Sequence, residues 1–590
     1  MTINIPAYKY IQNEQNINFS NGNICTLIGE NGSGKSTILE SIFNKYIEED
    51  GKKVICFTSG QNELFYSIFD KHKQQSNKFK PDENNIINSF YFDYWWVRFL
   101  VFFSITLKRN GKVKQYFDEK NYDFSSLSID FKFRVKQSYI NQIKNELERE
   151  SKGEFAIESK RRTIHYNLLL KLINKKINPN YDFDEINNNI VKRTLSLNIT
   201  EARNIFGNEA NKIFTFLSHA TMGWLSNIDI ESCDLYLQQN SEELEFEQLS
   251  DGEYQLLSIY ALIDLFDSEN TIFLFDEVDS HLHFNNISKL WNILKTISGK
   301  VITTTHISES VLNNDFNSIS YIEKGKIVND LVPKKVLEKI SNVVNQEKFI
   351  YQICSKLENI VLIDDESDWE IFKELAKIKI GEDAITLLKD IVAIKETSSY
   401  NSDFQLFGNE KIEFTKNIKT YSISNTINLK NIFMICDLDE YQIANINDNH
   451  QCIITDKLRT SINKIQKFNH NQTKAYLLSW KRREILHYMI SYSMLKEYNK
   501  LEELKNIANY IDGDEYINNN FDSDSNIRTT SKANVKFIKQ LMCKENGDVD
   551  ADNWTDYDKL KQIISKIPAN EISDDIVKMY EFIKSKVENN

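Results

Sequence analysis

Proline, glycine and cysteine are scarce in this chain. Its 590 residues include only 5 prolines and 17 glycines, which argues against long linkers or low-complexity tails. The 7 cysteines are scattered, and none belongs to a CxxC pair. This usage fits reduced thiols in a cytoplasmic protein and provides no zinc site.

Long hydrophobic runs are also missing. The N-terminus is polar and reaches a strand at once, so we predict no signal peptide. The most apolar stretch, residues 90–107, is interrupted by Asp93 and Arg98, and its uncharged part, 99–107, is too short to span a bilayer. We interpret this stretch as a buried, aromatic-rich element; a patch that faces lipid or a partner is the alternative.

The chain has no excess of positive charge. Its 72 Lys and Arg residues against 85 Asp and Glu residues give a formal net charge of −13. This balance excludes a uniformly basic coat for nucleic acid but leaves room for a local basic groove. Any contact with DNA or RNA must therefore be patchy, assisted by metal ions, or made by an oligomer.

A Gly-rich turn near the N-terminus is the clearest motif. Residues 29–37 read Gly-Glu-Asn-Gly-Ser-Gly-Lys-Ser-Thr, between an apolar strand at 23–28 and a helical pattern at 36–46. A strand, a loop of this form and a helix surround phosphates with backbone N–H groups and with the positive end of a helix dipole. We expect Lys35 to reach the β- and γ-phosphates of ATP and Ser36 to bind Mg²⁺. A chance glycine-rich turn is the alternative.

A second half of the site is predicted far downstream. The apolar strand 271–275 ends in Asp276 and Glu277, of which the first suits the Mg²⁺ water shell and the second can polarise an attacking water. A helix-opening Leu-Ser-Asp-Gly-Glu at 249–253 precedes this strand, and the apolar strand 300–305 follows it and ends at His306.

This ordered set of motifs resembles the ABC-type ATPases. The loop at 29–37 is similar to Walker A, residues 249–253 to the signature motif and 272–277 to Walker B, while Asp279 falls at the D-loop position. Asp251 stands where transporters usually have Gly. The nucleotide-binding residues that the resemblance implies are Gly29, Asn31, Gly32, Gly34, Lys35, Ser36, Thr37, Gln61, Ser250, Gly252 and Asp276.

The resemblance also implies a mechanism. In this family ATP lies between Walker A of one head and the signature motif of another, so the chain should form a homo-oligomer through its ATPase heads, a dimer or higher. Glu277 and His306 are the catalytic residues that it implies. For His306 a core histidine at a strand end is the alternative, and for Gln61 a surface loop residue.

Acidic residues follow two further predicted strands. Asn359–Ile363 is followed by Asp364-Asp365-Glu366-Ser367-Asp368, and Asn431–Cys436 is followed by Asp437-Leu438-Asp439-Glu440. Parallel strands would bring these carboxylates to one sheet edge, where their repulsion favours bound Mg²⁺ or Mn²⁺. Carboxylate-bound metal is the usual arrangement for phosphodiester cleavage. Two unrelated acidic loops, one of them a helix N-cap, are the alternative.

This second pattern resembles a TOPRIM domain. Its position after an ABC head resembles the OLD (overcoming lysogenization defect) family of nucleases and related phage-defence ATPases. That family normally has Glu-Gly where this chain has Asp364-Asp365. The metal ligands that the resemblance implies here are Asp364, Asp368, Asp437, Asp439 and, from the predicted helix at 480–488, Glu484, beside Ser36 and Asp276 in the ATP site. The neighbouring Lys481, Arg482 and Arg483 provide positive charge that suits contact with a phosphate backbone. The alternative is that they form a basic face exposed to solvent.

The predicted fold class is α/β: an ABC-type ATPase head with a helical insertion, then a TOPRIM-like α/β domain and a helical C-terminal region. The boundaries follow the changes of pattern: head 1–75 and 236–332, helical arm 76–235, linker helix 333–357, TOPRIM-like domain 358–490 and helical region 491–590.

The function that the resemblances imply is an ATPase controlling a metal-dependent nuclease in antiphage defence. Its partners would be nucleic acid, with DNA favoured over RNA, and other defence subunits such as a retron reverse transcriptase, without a membrane. Two alternatives stay open: a non-nuclease sensor or scaffold with a degenerate TOPRIM domain, and a DNA-repair ATPase with an accessory domain.

Overall fold

The computed structural model describes most of the chain and divides it into two compact units, Met1–Val332 and Pro333–Asn590. The residues described are 2–19, 22–60, 63–76, 86–135, 137–154, 164–176, 193–221, 228–239, 242–246, 249–307, 310–311, 314, 316–328, 332, 335–337, 347–398, 407–421, 428–438, 446–453, 458–469, 472–502, 535–543 and 555–589.

Both units contain strands and helices. The strands are β1 (Thr2–Ile5), β2 (Gln15–Asn18), β3 (Ile24–Ile28), β4 (Lys53–Thr58), β5 (Phe90–Phe92), β6 (Tyr122–Val135), β7 (Arg193–Asn198), β8 (Ile228–Gln239), β9 (Glu242–Glu245), β10 (Thr271–Asp276), β11 (Lys300–Thr304), β12 (Ile319–Glu323), β13 (Lys326–Val328), β14 (Asn359–Ile363), β15 (Val392–Lys395), β16 (Asn431–Cys436) and β17 (Lys474–Ser479). The helices of the first unit are α1 (Lys35–Tyr46), α2 (Glu63–Ser76), α3 (Val97–Leu107), α4 (Lys112–Glu119), α5 (Gln137–Ser151), α6 (Ile164–Lys176), α7 (Ile199–Phe206), α8 (Ala210–Thr221), α9 (Asp251–Phe266) and α10 (Phe284–Leu294). Those of the second unit are α11 (Glu347–Lys356), α12 (Glu366–Ile380), α13 (Glu382–Lys389), α14 (Asn409–Tyr421), α15 (Arg459–Phe468), α16 (Tyr492–Glu497), α17 (Lys536–Met542), α18 (Tyr557–Ile564) and α19 (Asp574–Glu588). Short 3-10 helices lie at Tyr94–Trp96, Phe316–Ser318, Ile485–Met489 and Ala569–Glu571.

A seven-stranded sheet in the order β13-β12-β3-β11-β10-β4-β5 forms the centre of the first unit. Every pairing in it is parallel except that of β12 with β13. Strands β3 and β10 are buried along their whole length, as the continuous apolar runs of their sequences predict for strands covered on both faces. Because parallel strands end at the same edge, the residues that follow β3, β10 and β11 meet there.

The stretch 90–107 is buried, as predicted. It forms β5, a 3-10 turn and α3, and its rings pack with those of α8; the Phe92 and Phe214 ring centroids lie 5.2 Å apart at 90°. Among the residues that the structure describes, no helix combines the length and the apolarity needed to cross a bilayer.

The prediction of a helical arm over 76–235 is wrong in one respect. In addition to helices, this part and the residues just after it contain a four-stranded antiparallel sheet in the order β7-β6-β8-β9. Residues 127–135 alternate strictly between apolar and polar types, which is the period of a half-buried strand, and Leu127 and Ile129 are buried. The signal was therefore present in the sequence.

The second unit contains a parallel four-stranded sheet in the order β15-β14-β16-β17. The predicted parallel alignment of Asn359–Ile363 and Asn431–Cys436 is confirmed, since Ile360 lies opposite Ile432. The described part of the predicted linker helix, α11, packs into this unit, with the Tyr351 ring 4.9 Å from that of Phe414.

The predicted boundary at residue 490 does not separate two cores. One hydrophobic cluster joins side chains of the sheet layer with side chains from beyond residue 490, among them Val361, Trp369, Leu495, Ile563 and Ile583. Because these side chains bury one another, the described residues of 491–590 belong to the same packed unit as the sheet.

Candidate functional site

The Gly-rich loop connects β3 to α1, as predicted. Gly34 stands before α1 with φ +106°, a backbone conformation that strongly favours glycine. The Lys35 side chain is buried and its ammonium group donates to the carbonyl oxygens of Gly29 at 3.1 Å and of Glu30 at 2.9 Å. Asn31 and Gly32 are exposed at the tip of the loop. The lysine charge thus lies inside the backbone of the Gly-rich loop, where phosphate oxygens would be bound.

Walker A and Walker B meet through two side chains. The Ser36 hydroxyl donates to Asp276 Oδ1 at 3.1 Å, and the Thr304 hydroxyl donates to the same oxygen at 2.7 Å. Burial raises the pKa of Asp276 above its ordinary value, against the opposing effect of these two hydrogen bonds. A hydroxyl and a carboxylate side by side are the oxygen ligands that Mg²⁺ prefers, so the residues present fit the predicted ion.

Glu277 and His306 form the second predicted pair. Glu277 Oε1 lies 3.0 Å from His306 Nε2, and the two side chains are 46% and 33% exposed, so solvent reaches both. Glu277 has φ +53°, in the left-handed region that costs a non-glycine residue about 1–3 kcal/mol. Its backbone N–H donates to Thr304 Oγ1 at 2.8 Å, which helps to hold that conformation. The carboxylate is therefore fixed, accessible and beside a histidine, as a water-polarising base requires.

Thr304 is a site residue that the sequence interpretation missed. It links Asp276 and Glu277 from the end of β11, the strand between Walker A and Walker B in the sheet. Three threonines at 303–305 interrupt an apolar buried strand, and this is the signal that could have revealed it.

Asp279, at the predicted D-loop position, is buried and accepts a hydrogen bond from the Thr305 hydroxyl. Burial raises its pKa to about 6, and the Ser310 and Thr305 hydroxyls act in the opposite direction. The Walker B turn is thereby attached a second time, to the residue that directly follows β11.

The predicted helix opening at 249–253 is confirmed. Helix α9 begins at Asp251, and Ser250 is its N-cap in a capping box with Glu253. Ser250 is exposed, and a Cβ added to Gly252 would lie 2.9 Å from the carbonyl oxygen of His281. Gln61, one of the nucleotide-binding residues that the resemblance implies, lies outside the described residues.

Comparison with known families agrees with this geometry. Residues 24–312 match the model of a family described as an AAA domain, putative AbiEii toxin, Type IV TA system. This part of the chain is therefore similar to an AAA-type ATPase domain. The match extends from β3 past His306, and it supports binding and hydrolysis of ATP. A search of curated proteins finds no match.

Tyr10 is a second residue beside the Gly-rich loop that the sequence interpretation missed. Its hydroxyl hydrogen-bonds Thr37 Oγ1 at 2.7 Å, and its ring lies 3.0 Å from where a Cβ on Gly34 would be. The side chain is nevertheless 50% exposed. A large aromatic surface left open beside a phosphate-binding loop is suited to stacking on the adenine base.

Replacing Tyr10 with Ala is therefore expected to raise the KM for ATP. Stacking of a base on an aromatic ring contributes about 1–3 kcal/mol, which corresponds to roughly 5- to 150-fold in KM. The measurement is steady-state ATP turnover. Tyr10→Phe, which retains the ring and loses only the bond to Thr37, should keep the KM of the wild type; an equal rise in both variants would contradict stacking.

In the second unit, Asp364 is held by a buried lysine. Lys411 is fully buried, and its ammonium group contacts Asp364 Oδ2 at 2.8 Å and Ser398 Oγ at 2.7 Å. Ser398 donates to Asp364 through its N–H at 2.6 Å and its hydroxyl at 2.7 Å. The N–H of Asp437 also points to Asp364, at 3.3 Å. The acids after β14 and β16 thus converge as predicted, but a lysine neutralises the first of them.

Asp365 and Asp368 form a helix cap. Asp365 is the N-cap of α12, in a capping box with Asp368, which is the alternative that the sequence left open. Burial raises the pKa of Asp368 well above its ordinary value, and the charges of Asp365, Asp364 and Glu484 raise it further. These carboxylates are close enough to affect one another.

The remaining predicted ligands are only partly described. Asp437 and Glu484 are buried, whereas Asp439 lies outside the described residues. Glu484 precedes the 3-10 helix Ile485–Met489, so the prediction of an α-helix over 480–488 is wrong; Arg483, at φ +52°, interrupts the helical backbone there. Within the described part of the chain, no three His, Cys, Asp or Glu side chains are arranged to hold a metal ion.

The basic residues beside Glu484 do not form a solvated face. Lys481 and Arg482 are buried; Lys481 is 3.5 Å from Asp575, and the guanidinium of Arg482 lies 5.0 Å from the centre of the Tyr488 ring. Because internal groups already surround them, the prediction that these two contact a phosphate backbone is wrong.

Proposed function

We propose that ATP hydrolysis in an ABC-type head, residues 24–312, controls a metal-dependent, TOPRIM-like nuclease in the second unit, and that the protein acts in antiphage defence. The observation that carries the ATPase half is the pairing of Ser36 with Asp276 beside that of Glu277 with His306. Asp276 and Ser36 would hold Mg²⁺, which neutralises charge on the phosphates. Glu277 would take up the proton of the attacking water, oriented by His306.

Homo-oligomerisation of the heads is part of the proposal. Ser250 caps α9 from an exposed position, so its hydroxyl is accessible to a second copy of the chain. The backbone N–H groups at a helix N-terminus attract anions, which suits the γ-phosphate of ATP bound to the partner.

The nuclease half is supported by the sheet edge of the second unit. Parallel strands β14 and β16 bring Asp364 and Asp437 within hydrogen-bonding reach, with Asp368 and Glu484 nearby. Buried carboxylates at such an edge are suited to Mg²⁺ or Mn²⁺ and to phosphodiester cleavage, with DNA favoured over RNA as substrate.

A second candidate is a non-nuclease sensor or scaffold. The observation that favours it is the Lys411–Asp364 ion pair, because a lysine already supplies the positive charge that a metal would bring. In this version the second unit binds a partner, for example a retron reverse transcriptase or nucleic acid, and ATP controls that binding.

The role in defence is supported by the family description, which names a putative toxin of a type IV TA system. A toxin must be held inactive until it is needed. An ATPase joined in one chain to a second active unit is suited to such control.

One experiment tests the nuclease proposal. Purified protein is incubated with Mg²⁺ or Mn²⁺ and plasmid, linear DNA or tRNA, with and without ATP. We expect cleavage that depends on ATP and that falls at least about ten-fold in Asp437→Asn, since even the outer partners of metal ligands contribute about 10- to 100-fold. Mn²⁺ binding, measured by calorimetry, should fall in parallel.

The matched control is Asp390→Asn, an exposed aspartate in the same unit. It should cleave as the wild type does. Absence of cleavage under every condition, or full cleavage by Asp437→Asn, would contradict the nuclease and leave the sensor as the better hypothesis.

A further inference from the structure

The helix that carries the signature turn, residues 249–253, is held at both ends by helix α4 of the inserted region. At its C-terminal end, the Asp264 carboxylate accepts hydrogen bonds from the backbone N–H groups of Lys112 at 2.8 Å and Val113 at 3.0 Å, and from the Ser104 hydroxyl at 2.8 Å. A Cβ on Gly111 would collide with this carboxylate. The acid on α9 therefore caps the N-terminus of α4.

The second attachment is at the signature turn itself. Tyr116 donates its hydroxyl proton to Glu253 Oε1 at 3.0 Å, and the Lys120 ammonium lies 3.4 Å from the same oxygen. The other oxygen of Glu253 accepts from the Ser250 N–H at 3.1 Å and from the Ser250 hydroxyl at 3.0 Å. One carboxylate thus joins α4 to the serine that we propose for contact with ATP on the partner.

A third contact comes from the segment before α3. The Tyr94 ring stacks on that of Tyr254 with 4.9 Å between centroids at 19°. Tyr254 is buried in α9, so the first turn of this helix is packed on the segment 94–96.

Both α4 and α9 continue to other parts of the unit. Phe117 of α4 packs on Tyr122, the first residue of β6 in the antiparallel sheet, with 5.3 Å between ring centroids. On α9, the Gln255 amide donates to the carbonyl oxygens of Glu277 at 3.4 Å and of Val278 at 3.2 Å. The contacts therefore form a continuous series. It begins at the antiparallel sheet β7-β6-β8-β9, here called the inserted sheet, and passes through α4 and Glu253 to the signature turn; from α9 it continues to the turn that contains Glu277.

We propose that Tyr116, supported by Lys120, is a positioning residue for ATP hydrolysis. It orients Glu253, and Glu253 orients the Ser250 hydroxyl. The position of the inserted sheet therefore determines whether the signature turn can support hydrolysis of ATP bound to a partner head. This inference rests on the proposed use of Ser250 on a partner head. When the inserted sheet shifts, the bond between Tyr116 and Glu253 breaks, and ATP stays bound to its own head but is hydrolysed slowly.

The test is Tyr116→Phe in the full chain, which keeps the ring and its packing and removes only the hydroxyl. We expect kcat for ATP to fall about 5- to 10-fold, with the dissociation constant of ATP for the head unchanged. Tyr260→Phe is the matched control, because Tyr260 is a buried tyrosine of α9 whose ring centroid lies 6.2 Å from that of Tyr116. It should retain the kcat of the wild type.

A double variant shows whether Tyr116 acts through Glu253. Tyr116→Phe combined with Glu253→Gln should lose no more kcat than Glu253→Gln alone, whereas independent roles would give additive losses. If Tyr116→Phe is unstable, Lys120→Met is the substitute variant, because the Lys120 side chain is half-exposed. It should lower kcat without altering ATP binding.

Two outcomes would overturn the inference. One is an unchanged kcat in both Tyr116→Phe and Lys120→Met; the other is a loss of ATP binding in proportion to kcat. If wild-type protein itself hydrolyses no ATP, the proposed function fails instead, and the two failures are thereby distinguished.

Discussion

Replacing Glu277 with Gln is expected to lower kcat for ATP hydrolysis by about 100- to 10,000-fold, the usual contribution of a general base. The substitution keeps the size of the side chain and its reach to His306, which is 3.0 Å away, but it removes the negative charge that takes up a proton from water. ATP binding should persist, because Lys35 and Ser36, which we propose hold the phosphates and Mg²⁺, lie on α1 and not on the turn after β10. The measurement is phosphate release at saturating ATP and Mg²⁺, beside an equilibrium dissociation constant for ATP.

Glu269→Gln is the control for this prediction. Glu269 is an exposed glutamate just before β10, in the same unit, so its loss of charge should leave kcat unchanged. Normal hydrolysis by Glu277→Gln would exclude Glu277 as the base, whatever its position beside His306.

Replacing Lys411 with Met is expected to have the largest effect on stability. Lys411 is fully buried, whereas its partner Asp364 is 22% exposed and also accepts hydrogen bonds from Ser398 and Asp437. The loss should therefore be below the roughly 3–5 kcal/mol that breaking a fully buried ion pair costs, but well above that of a surface pair. Hydrogen exchange of β14 and α14 in the full chain, measured by mass spectrometry, reports the local free energy of unfolding.

The partner variant distinguishes the ion pair from general packing. Adding Asp364→Asn to Lys411→Met should recover part of the loss, because the charge that lost its ionic partner is then removed as well. Lys416→Met is the control: Lys416 and Glu413 lie on the same helix, both about two-fifths exposed, and such a surface pair contributes only about 0.5 kcal/mol. Equal losses in Lys411→Met and Lys416→Met would contradict a special role for the buried pair.

The same pair bears on what the second unit does. With Lys411 in place, Asp364 is neutralised from within the fold, and the other described acids nearby, Asp437, Asp368 and Glu484, are not arranged to hold a metal ion. A nuclease would then use these residues together with Asp439. A sensor would keep the lysine as a permanent substitute for metal.

The ATP site could be predicted largely from local sequence. Lys35 and Ser36 lie in a contiguous motif, and Asp276 and Glu277 follow an apolar run that is typical of a strand buried on both faces. Each of these motifs occupies one strand, one turn and one helix. The structure of such a short segment depends mainly on residues that are neighbours in the sequence, so it can be predicted from local patterns. For this reason the loop, its helix and the pairing of Ser36 with Asp276 all agree with the structure.

By itself, then, the sequence determined that a phosphate loop, a helix-opening turn at 249–253 and three buried strands followed by carboxylates, β10, β14 and β16, exist. Only the tertiary structure decided which side chains come to them from elsewhere: Thr304 between Asp276 and Glu277, Tyr10 beside Gly34, and Lys411 on Asp364. The physical reason is that these contacts depend on the order of strands in a sheet and on helices distant in the chain. No local pattern encodes that order, and the sequence around a buried lysine does not distinguish it from an exposed lysine.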